Sequence, residues 1–310
     1  MKIVTLTMNP ALDKSSKVDS IRPDSKLRCE APTYQPGGGG INVSRAIHKL
    51  GGESVCSYLA GGPNADIMKQ LLQDEGVKQH IIDIENWTRE NFTVVDKGNN
   101  QQYRFGMPGA EVSEKEWQQT LKEMEDLCKE ADYVVGSGSL PPGAPQDFWA
   151  RLARIAKNND ARYIVDTSGD ALELAAEEGV YLLKPNLGEL GSLSKKDSVT
   201  AMEQEELARK LISDKMAEVV VVSMGPQGAM LISNDDMIYV PAPTVHKKST
   251  VGAGDSMVAG MVLSLSQGKA LREVVAFGVA SGTAATMNEG TGLCKKEDTE
   301  SLFQWILTKI

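Results

Sequence analysis

Aromatic residues make up only 5% of this 310-residue chain, which leaves its core to Val, Ile, Leu, Ala and Met. Positive charge is also short: 33 Lys and Arg stand against 42 Asp and Glu, a net charge of −9. Non-specific binding to nucleic acid or to an anionic membrane needs a net basic surface, so neither is expected. A small phosphorylated ligand stays open, because a few local cations override the overall sign. Cys29, Cys56, Cys128 and Cys294 are far apart and form no C-x-x-C pair, the pattern of free thiols in a reducing cytosol. His48, His80 and His246 are isolated, which argues against a His/Cys zinc site. No apolar run reaches the roughly 18 residues that a membrane helix needs. No secretory signal precedes the strand pattern that opens the chain, so a cytoplasmic protein is expected.

Three signatures of other chemistries are missing. The Gly-Lys pair at Gly268-Lys269 is followed by Ala270 rather than Ser or Thr, so there is no P-loop. Gly252-Ala253-Gly254 has Met257 where a dinucleotide fingerprint has its third glycine. No G-x-S-x-G elbow occurs. P-loop nucleotide triphosphatases, Rossmann dehydrogenases and α/β-hydrolases are thereby set aside.

What is present is an ordinary globular composition, 41% hydrophobic and 24% charged, in a chain long enough for a large α/β domain with an accessory unit. Lys2–Thr7 reads as a buried first strand, stopped by Asn9-Pro10. A helix is expected over Ile41–Leu50. Beyond Pro108 helix and strand patterns alternate. Helices are expected at Ser113–Lys129, Gln146–Asn158, Ala171–Glu177 and Glu203–Ser213. The strands lie at Tyr133–Gly136, Arg162–Asp166, Tyr181–Lys184 and Glu218–Ser223, and the closing helices at Ser256–Gln267 and Leu271–Met287. Apolar strands alternating with helices imply βαβ units in a doubly wound, mostly parallel sheet with helices on both faces. Two polar, alternating excursions have no place in such a sheet. The core is therefore assigned to 1–12, 36–86 and 108–310, and a discontinuous β lid to 13–35 and 87–107. Exposed edges of that lid need covering, and pairing with a second copy is one way to cover them.

The run Ser249–Ser256 (STVGAGDS) leads into an apolar helix. Small residues let backbone N–H groups converge at a helix N-terminus, where an anion is stabilised. Gly252, Ala253 and Gly254 then form an anion hole for a transferring phosphoryl group, and Asp255 is placed to accept a proton from an attacking hydroxyl. Taken alone, the same run reads more readily as a tight turn and a helix cap; the other motifs tip it toward a site. Gly37–Gly40 enters a helix bearing Asn42, which reads as close approach of a sugar to backbone or as a hinge. Asp13 follows the first strand and suits a pair of vicinal hydroxyls. Lys26, Arg28, Arg89 and Arg104 all lie in the lid, more cations than a neutral sugar requires. Asn186 and Glu189 share a helical face, as Mg²⁺ partners or as a capping pair. Ser223–Gly228 is either a hairpin turn or a nucleotide-contacting loop.

Together these motifs resemble the ribokinase-like sugar kinases. The resemblance spans the chain in order: Asp13, GGGGIN at 37–42, GSLPPG at 138–143, KPN at 184–186, VSMGPQGA at 222–229 and TVGAGDS at 250–256. Within the family the chain is most similar to the phosphofructokinase branch, which commonly has Ser at 249. Relatives acting on fructose 1-phosphate or tagatose 6-phosphate usually carry Lys where this chain has Gly39. The resemblance thus implies ATP-dependent phosphorylation of fructose 6-phosphate at its C1 hydroxyl, with Asp255 as base. A tagatose-6-phosphate kinase or 1-phosphofructokinase is the alternative, and a non-catalytic sensor on the same fold a more distant one. It also implies that Asp13, Gly38, Gly39, Gly40 and Asn42 hold the sugar, with Arg28, Arg89, Arg104 and Ser139 around its phosphate. Lys184, Asn186, Ser223, Gly225, Gly228 and Lys26 would line the ATP site, and Glu189 would help place Mg²⁺. Some relatives bind K⁺ at positions matching Ser249, Val251, Ala285, Asn288 and Gly290. A homodimer through the lid is implied as well.

Overall fold

Ile3–Thr7 is buried at every position, as a strand covered on both faces must be. In the computed structural model, which describes residues 1–196, 199–200, 202–290 and 292–310, this strand lies in the middle of the main sheet. The chain runs β1 (Ile3–Thr7), β2 (Ala11–Val18), β3 (Thr33–Gly37), α1 (Gly39–Lys49), β4 (Val55–Ala60), α2 (Gly62–Asp74) and β5 (Lys78–Asp83). Next come β6 (Arg89–Asp96), β7 (Gln101–Phe105), α3 (Glu114–Cys128), β8 (Tyr133–Ser137), α4 (Phe148–Asn158) and β9 (Arg162–Asp166). They are followed by α5 (Asp170–Glu177), β10 (Val180–Leu183), α6 (Leu187–Leu193), α7 (Glu203–Ser213) and β11 (Ala217–Ser223). Two short strands, β12 (Ala229–Ile232) and β13 (Met237–Val240), precede α8 (Ala253–Ser266), α9 (Leu271–Thr286) and α10 (Lys296–Leu307).

The nine-stranded sheet has the order β13-β12-β11-β10-β9-β8-β1-β4-β5. Its pairs from β11 to β5 are parallel, and β12 and β13 close one edge antiparallel. One face buries Phe148, Trp149, Leu152 and Leu211 against it, from α4 and α7. The other buries Val43, Ile47, Val258, Val262 and Val279 from α1, α8 and α9. The doubly wound architecture is the expected one.

The second sheet is separate, with four strands in the order β3-β2-β6-β7. β2 and β6 are parallel, while the two outer pairs are antiparallel. Its strands span Ala11–Gly37 and Arg89–Phe105, so it takes in Ala11 and Leu12 at one end and Pro36 and Gly37 at the other. Asp13 therefore lies within strand β2 and not in a loop after β1. Between Val18 and Thr33 the chain lacks strand structure and is exposed except at the half-buried Ser20 and Ile21.

Order along the main sheet reverses at β1, whose neighbours are β4 on one side and β8 on the other. Parallel sheets bind ligands beyond the carboxyl ends of their strands at such a switch point.

Candidate active site

The carboxyl ends of β1 and β8 are where α1 begins, and the glycine run lets it begin there. A Cβ on Gly40 would meet Leu6 O at 2.5 Å, and one on Gly39 would meet Gly138 N at 2.8 Å. Gly37 lies against the Asp13 carboxylate, and Gly38 has φ +124°. Close contacts within the protein, from backbone at Gly39 and Gly40 and from the Asp13 side chain at Gly37, leave no room for a Cβ along this run.

Helix α8 starts at Ala253, three residues earlier than its pattern suggests, because Gly252 adopts the left-handed conformation at the N-cap. Gly254 and Asp255 consequently fall in the first turn, where backbone N–H groups are unpaired. Asp255 Oδ2 accepts a 2.9 Å hydrogen bond from Asn42 Nδ2. Burial, with the Asp166 carboxylate nearby, pushes the Asp255 carboxyl up to about 7, against the Asn42 hydrogen bond and the Lys184 ammonium. A carboxyl poised near neutrality is what a general base needs.

Lys184, at the end of β10, is buried and reaches Asp166 Oδ1 at 3.2 Å. A Cβ on Gly254 would sit 3.7 Å from its Nζ, so the ammonium faces the start of α8. Burial alone would lower its pKa, but the carboxylates of Asp166, Glu189 and Asp255 outweigh that and raise it. A lysine held charged beside a helix N-terminus is a strong anion-binding arrangement. Asp166 was not singled out in the sequence, although it ends a parallel strand as Lys184 does.

On the small sheet, Asp13 Oδ1 accepts from Asn91 Nδ2 at 2.9 Å. Burial raises the Asp13 pKa, opposed by Asn91 and by Arg89, Arg45 and Arg104. Arg89 spends its donors on Met107 O at 2.9 Å, Asn9 O at 3.1 Å and Pro10 O at 3.4 Å. It thus tethers β6 to the segment that leaves β1. Arg104 donates to Gln102, and Ser139 accepts from Asn9 Nδ2 at 3.1 Å. Arg28 and Lys26 lie on the exposed stretch before β3 and make no hydrogen bond or ion pair with any described residue. Within one protomer they are not brought to this cluster.

Asn186 and Glu189 form a complete capping box at the start of α6, with bonds of 2.9 Å in both directions. Glu189 is half-buried, and burial raises its pKa. Ser223–Gly228 joins the antiparallel β11 and β12, so it is a hairpin connection. Gly225 and Gly228 both have positive φ there, and Ser223 N donates to Pro185 O at 2.9 Å.

The segment before α8 is stitched to the end of α9. Lys248 N and Ser249 N both donate to Thr286 O. Ser249 Oγ donates to Gly290 O at 2.8 Å and accepts from Val251 N at 3.2 Å. Asn288 N donates to Ala285 O at 3.2 Å. These hydrogen bonds bring Ser249, and with it Val251, against the end of α9; Ala285, Asn288 and Gly290 lie at or just beyond that C-terminus, where the dipole favours a cation.

A phosphate-ready helix start, a buried lysine and a carboxylate near neutral pKa define a phosphotransferase site on a doubly wound sheet. Residues 4–298 match the pfkB family carbohydrate kinases, and the chain belongs to that family. It is 41% identical over 307 residues to ATP-dependent 6-phosphofructokinase isozyme 2 of Escherichia coli strain K12, covering 99% of both chains. With the protein of the same description from Mycobacterium tuberculosis strain CDC 1551 it shares 43% over 303 residues, covering 98% of this chain and 89% of the relative. The crystal structure of phosphofructokinase-2 from Escherichia coli in complex with potassium superposes with a TM-score of 0.95, at 41% identity and 99% coverage of both chains.

Proposed function

We propose that this protein transfers the γ-phosphoryl group of ATP to the C1 hydroxyl of fructose 6-phosphate. The observation that carries this is the Asp255 carboxylate, held by Asn42 in the first turn of α8 and facing Lys184. Asp255 takes the proton as the hydroxyl attacks. The N–H groups at Gly252, Ala253 and Gly254 receive the transferring phosphoryl oxygens, and Lys184 adds a full positive charge.

Asp13, Asn42 and the glycine run hold the sugar, and Arg89, Arg104 and Ser139 stand near its phosphate. Asn186, Ser223, Gly225 and Gly228 line the nucleotide side. Among the described residues no three His, Cys, Asp or Glu side chains converge as a metal site. Mg²⁺ binds through phosphates, water and one or two carboxylates; Glu189 is the carboxylate assigned to it, its second oxygen lying outside the capping bonds. Mg²⁺ would neutralise charge between the phosphates. The carbonyl set around Ser249 suits K⁺, which would firm up the segment entering α8.

Homodimerisation through the small sheet is part of this reading. β3 and β7 are its edge strands, each paired with one neighbour, and Leu27, Tyr34, Phe105 and Met107 are exposed on or beside it. A second copy would also bring Arg28 and Lys26 within reach of a site. A monomer by light scattering, with both substrates present, would refute the dimer. We place the protein in the cytoplasm; no helix among the described residues is long and apolar enough to cross a membrane.

The activity is tested by ADP release from MgATP with fructose 6-phosphate, tagatose 6-phosphate and fructose 1-phosphate offered separately. The highest kcat/KM is expected for fructose 6-phosphate. Preference for either of the others would overturn the substrate.

A further inference from the structure

We propose that Arg45 is a positioning residue for phosphoryl transfer, which orients the Asn42 amide against Asp255 and ties it to the root of the small sheet. This rests on the reading of Asp255 as the base. Asn42 and Arg45 stand three positions apart on α1 and share a face. Arg45 is 3% exposed, and its guanidinium divides between two tasks. Nε and Nη2 grip the Glu75 carboxylate at 2.8 and 2.6 Å. Nη1 donates instead to Pro36 O at 3.0 Å and faces Asn42 Oδ1 at 3.5 Å.

The second task bears on the chemistry. A guanidinium only donates, so it demands the oxygen end of the Asn42 amide. That leaves the NH₂ end for Asp255, where it makes the 2.9 Å bond. The Asn42–Arg45 contact is long for a hydrogen bond. In buried surroundings, however, the reversed amide would set its NH₂ against a full positive charge and its oxygen against a carboxylate. One buried cation therefore selects the amide orientation that keeps Asp255 Oδ2 occupied and leaves Oδ1 to receive a proton. Pro36 lies in β3, paired with Leu12 beside Asp13. The same guanidinium thus joins the sheet that carries Asp13 to the helix that carries Asn42.

The alternative is that the Arg45–Glu75 pair only pins α2 to α1. A double-mutant cycle on kcat separates the two, comparing wild type, Arg45→Met, Asn42→Ala and the double variant with MgATP and fructose 6-phosphate. If Arg45 acts through Asn42, each single change lowers kcat by about 10-fold, and the double variant is within about twofold of Asn42→Ala. KM for MgATP stays within about twofold throughout, because the hydrogen bonds of these two side chains run to Asp255, Glu75 and Pro36 and not to the Ser223–Gly228 loop. A kcat unchanged in Arg45→Met beside a lowered melting temperature, or losses that multiply in the double variant, would overturn the inference.

Removing Arg45 alone strands the half-buried Glu75 carboxylate beside a buried site and endangers folding. Should that variant fail to fold, Arg45→Met/Glu75→Met removes both charges and carries the same cycle. Asp255→Asn is assayed alongside: wild-type turnover there removes the base, whereas an inactive Asp255→Asn with multiplying losses in the cycle refutes the role of Arg45 alone.

Discussion

Asn42 and Asp255 are separated by 213 positions in sequence and joined by a 2.9 Å hydrogen bond. The bond links the first turn of α1 to the first turn of α8, two helices on the same face of the sheet. It also acts on titration, since it pulls the Asp255 pKa down while burial and Asp166 push it up. Four predictions follow from the surroundings of these two residues.

Asp255→Asn should keep the fold and ATP binding while losing about 10²–10⁴-fold in kcat, the usual cost of a missing general base. It should also be more stable than wild type at neutral pH. A carboxyl raised to about 7 in the folded state binds its proton more tightly than in the unfolded chain. Its contribution is full below the unfolded value near 3.8 and is lost as pH rises through about 7. Thermal melts from pH 3.5 to 8 should therefore show the variant's gain appearing only as pH rises. Equal melting temperatures across that range would contradict the raised pKa.

The pH dependence of kcat/KM should carry an acid limb near 7, where Asp255 in the free enzyme loses its proton. Activity falls as pH drops through that value. Asn42→Ala removes a hydrogen bond that lowers this pKa, so the limb should move to higher pH. Steady-state rates between pH 5.5 and 9 measure it, and a limb unmoved or displaced downward would contradict the assigned contact.

Gly39→Ala places a methyl group 2.8 Å from the backbone N of Gly138, which a rotamer change cannot relieve. The start of α1 must then shift from the end of β8. Overpacking of this kind costs about 1–3 kcal/mol, and KM for fructose 6-phosphate should rise because Asp13, Asn42 and the glycine run move relative to one another. Urea melts and sugar-phosphate kinetics together check it.

Glu189→Gln should separate capping from metal placement. The amide keeps an oxygen for the Asn186 N–H, so helix α6 should lose less than about 1 kcal/mol. The Mg²⁺ concentration for half-maximal activity should rise at fixed ATP. A large stability loss with unchanged Mg²⁺ dependence would leave Glu189 as a cap only.

Much of the framework was legible locally. Arg162–Asp166 and Glu203–Ser213 have the bounds their patterns indicate, because a run of apolar strand residues or a helical stripe is a short-range signal. The region from Val55 to Asp83 was not. Its strand VCSYLA is buried at all six positions yet carries Cys, Ser and Tyr, which a search for Val/Ile runs passes over.

Motif chemistry was also legible. A glycine-rich run ending in an aspartate before an apolar helix announces an anion site, and the sequence alone carries that in STVGAGDS. Tertiary structure decided the partners: Asn42 on Asp255, Asp166 on Lys184, and Arg45 divided between Glu75 and the Asn42 amide. It also supplied the tight contacts of the glycine run, which come from Leu6 and Gly138. The physical reason is range. Propensity, capping and periodicity act over a few residues, whereas a pKa or an amide orientation depends on charges and burial brought by strands that meet only when the sheet closes.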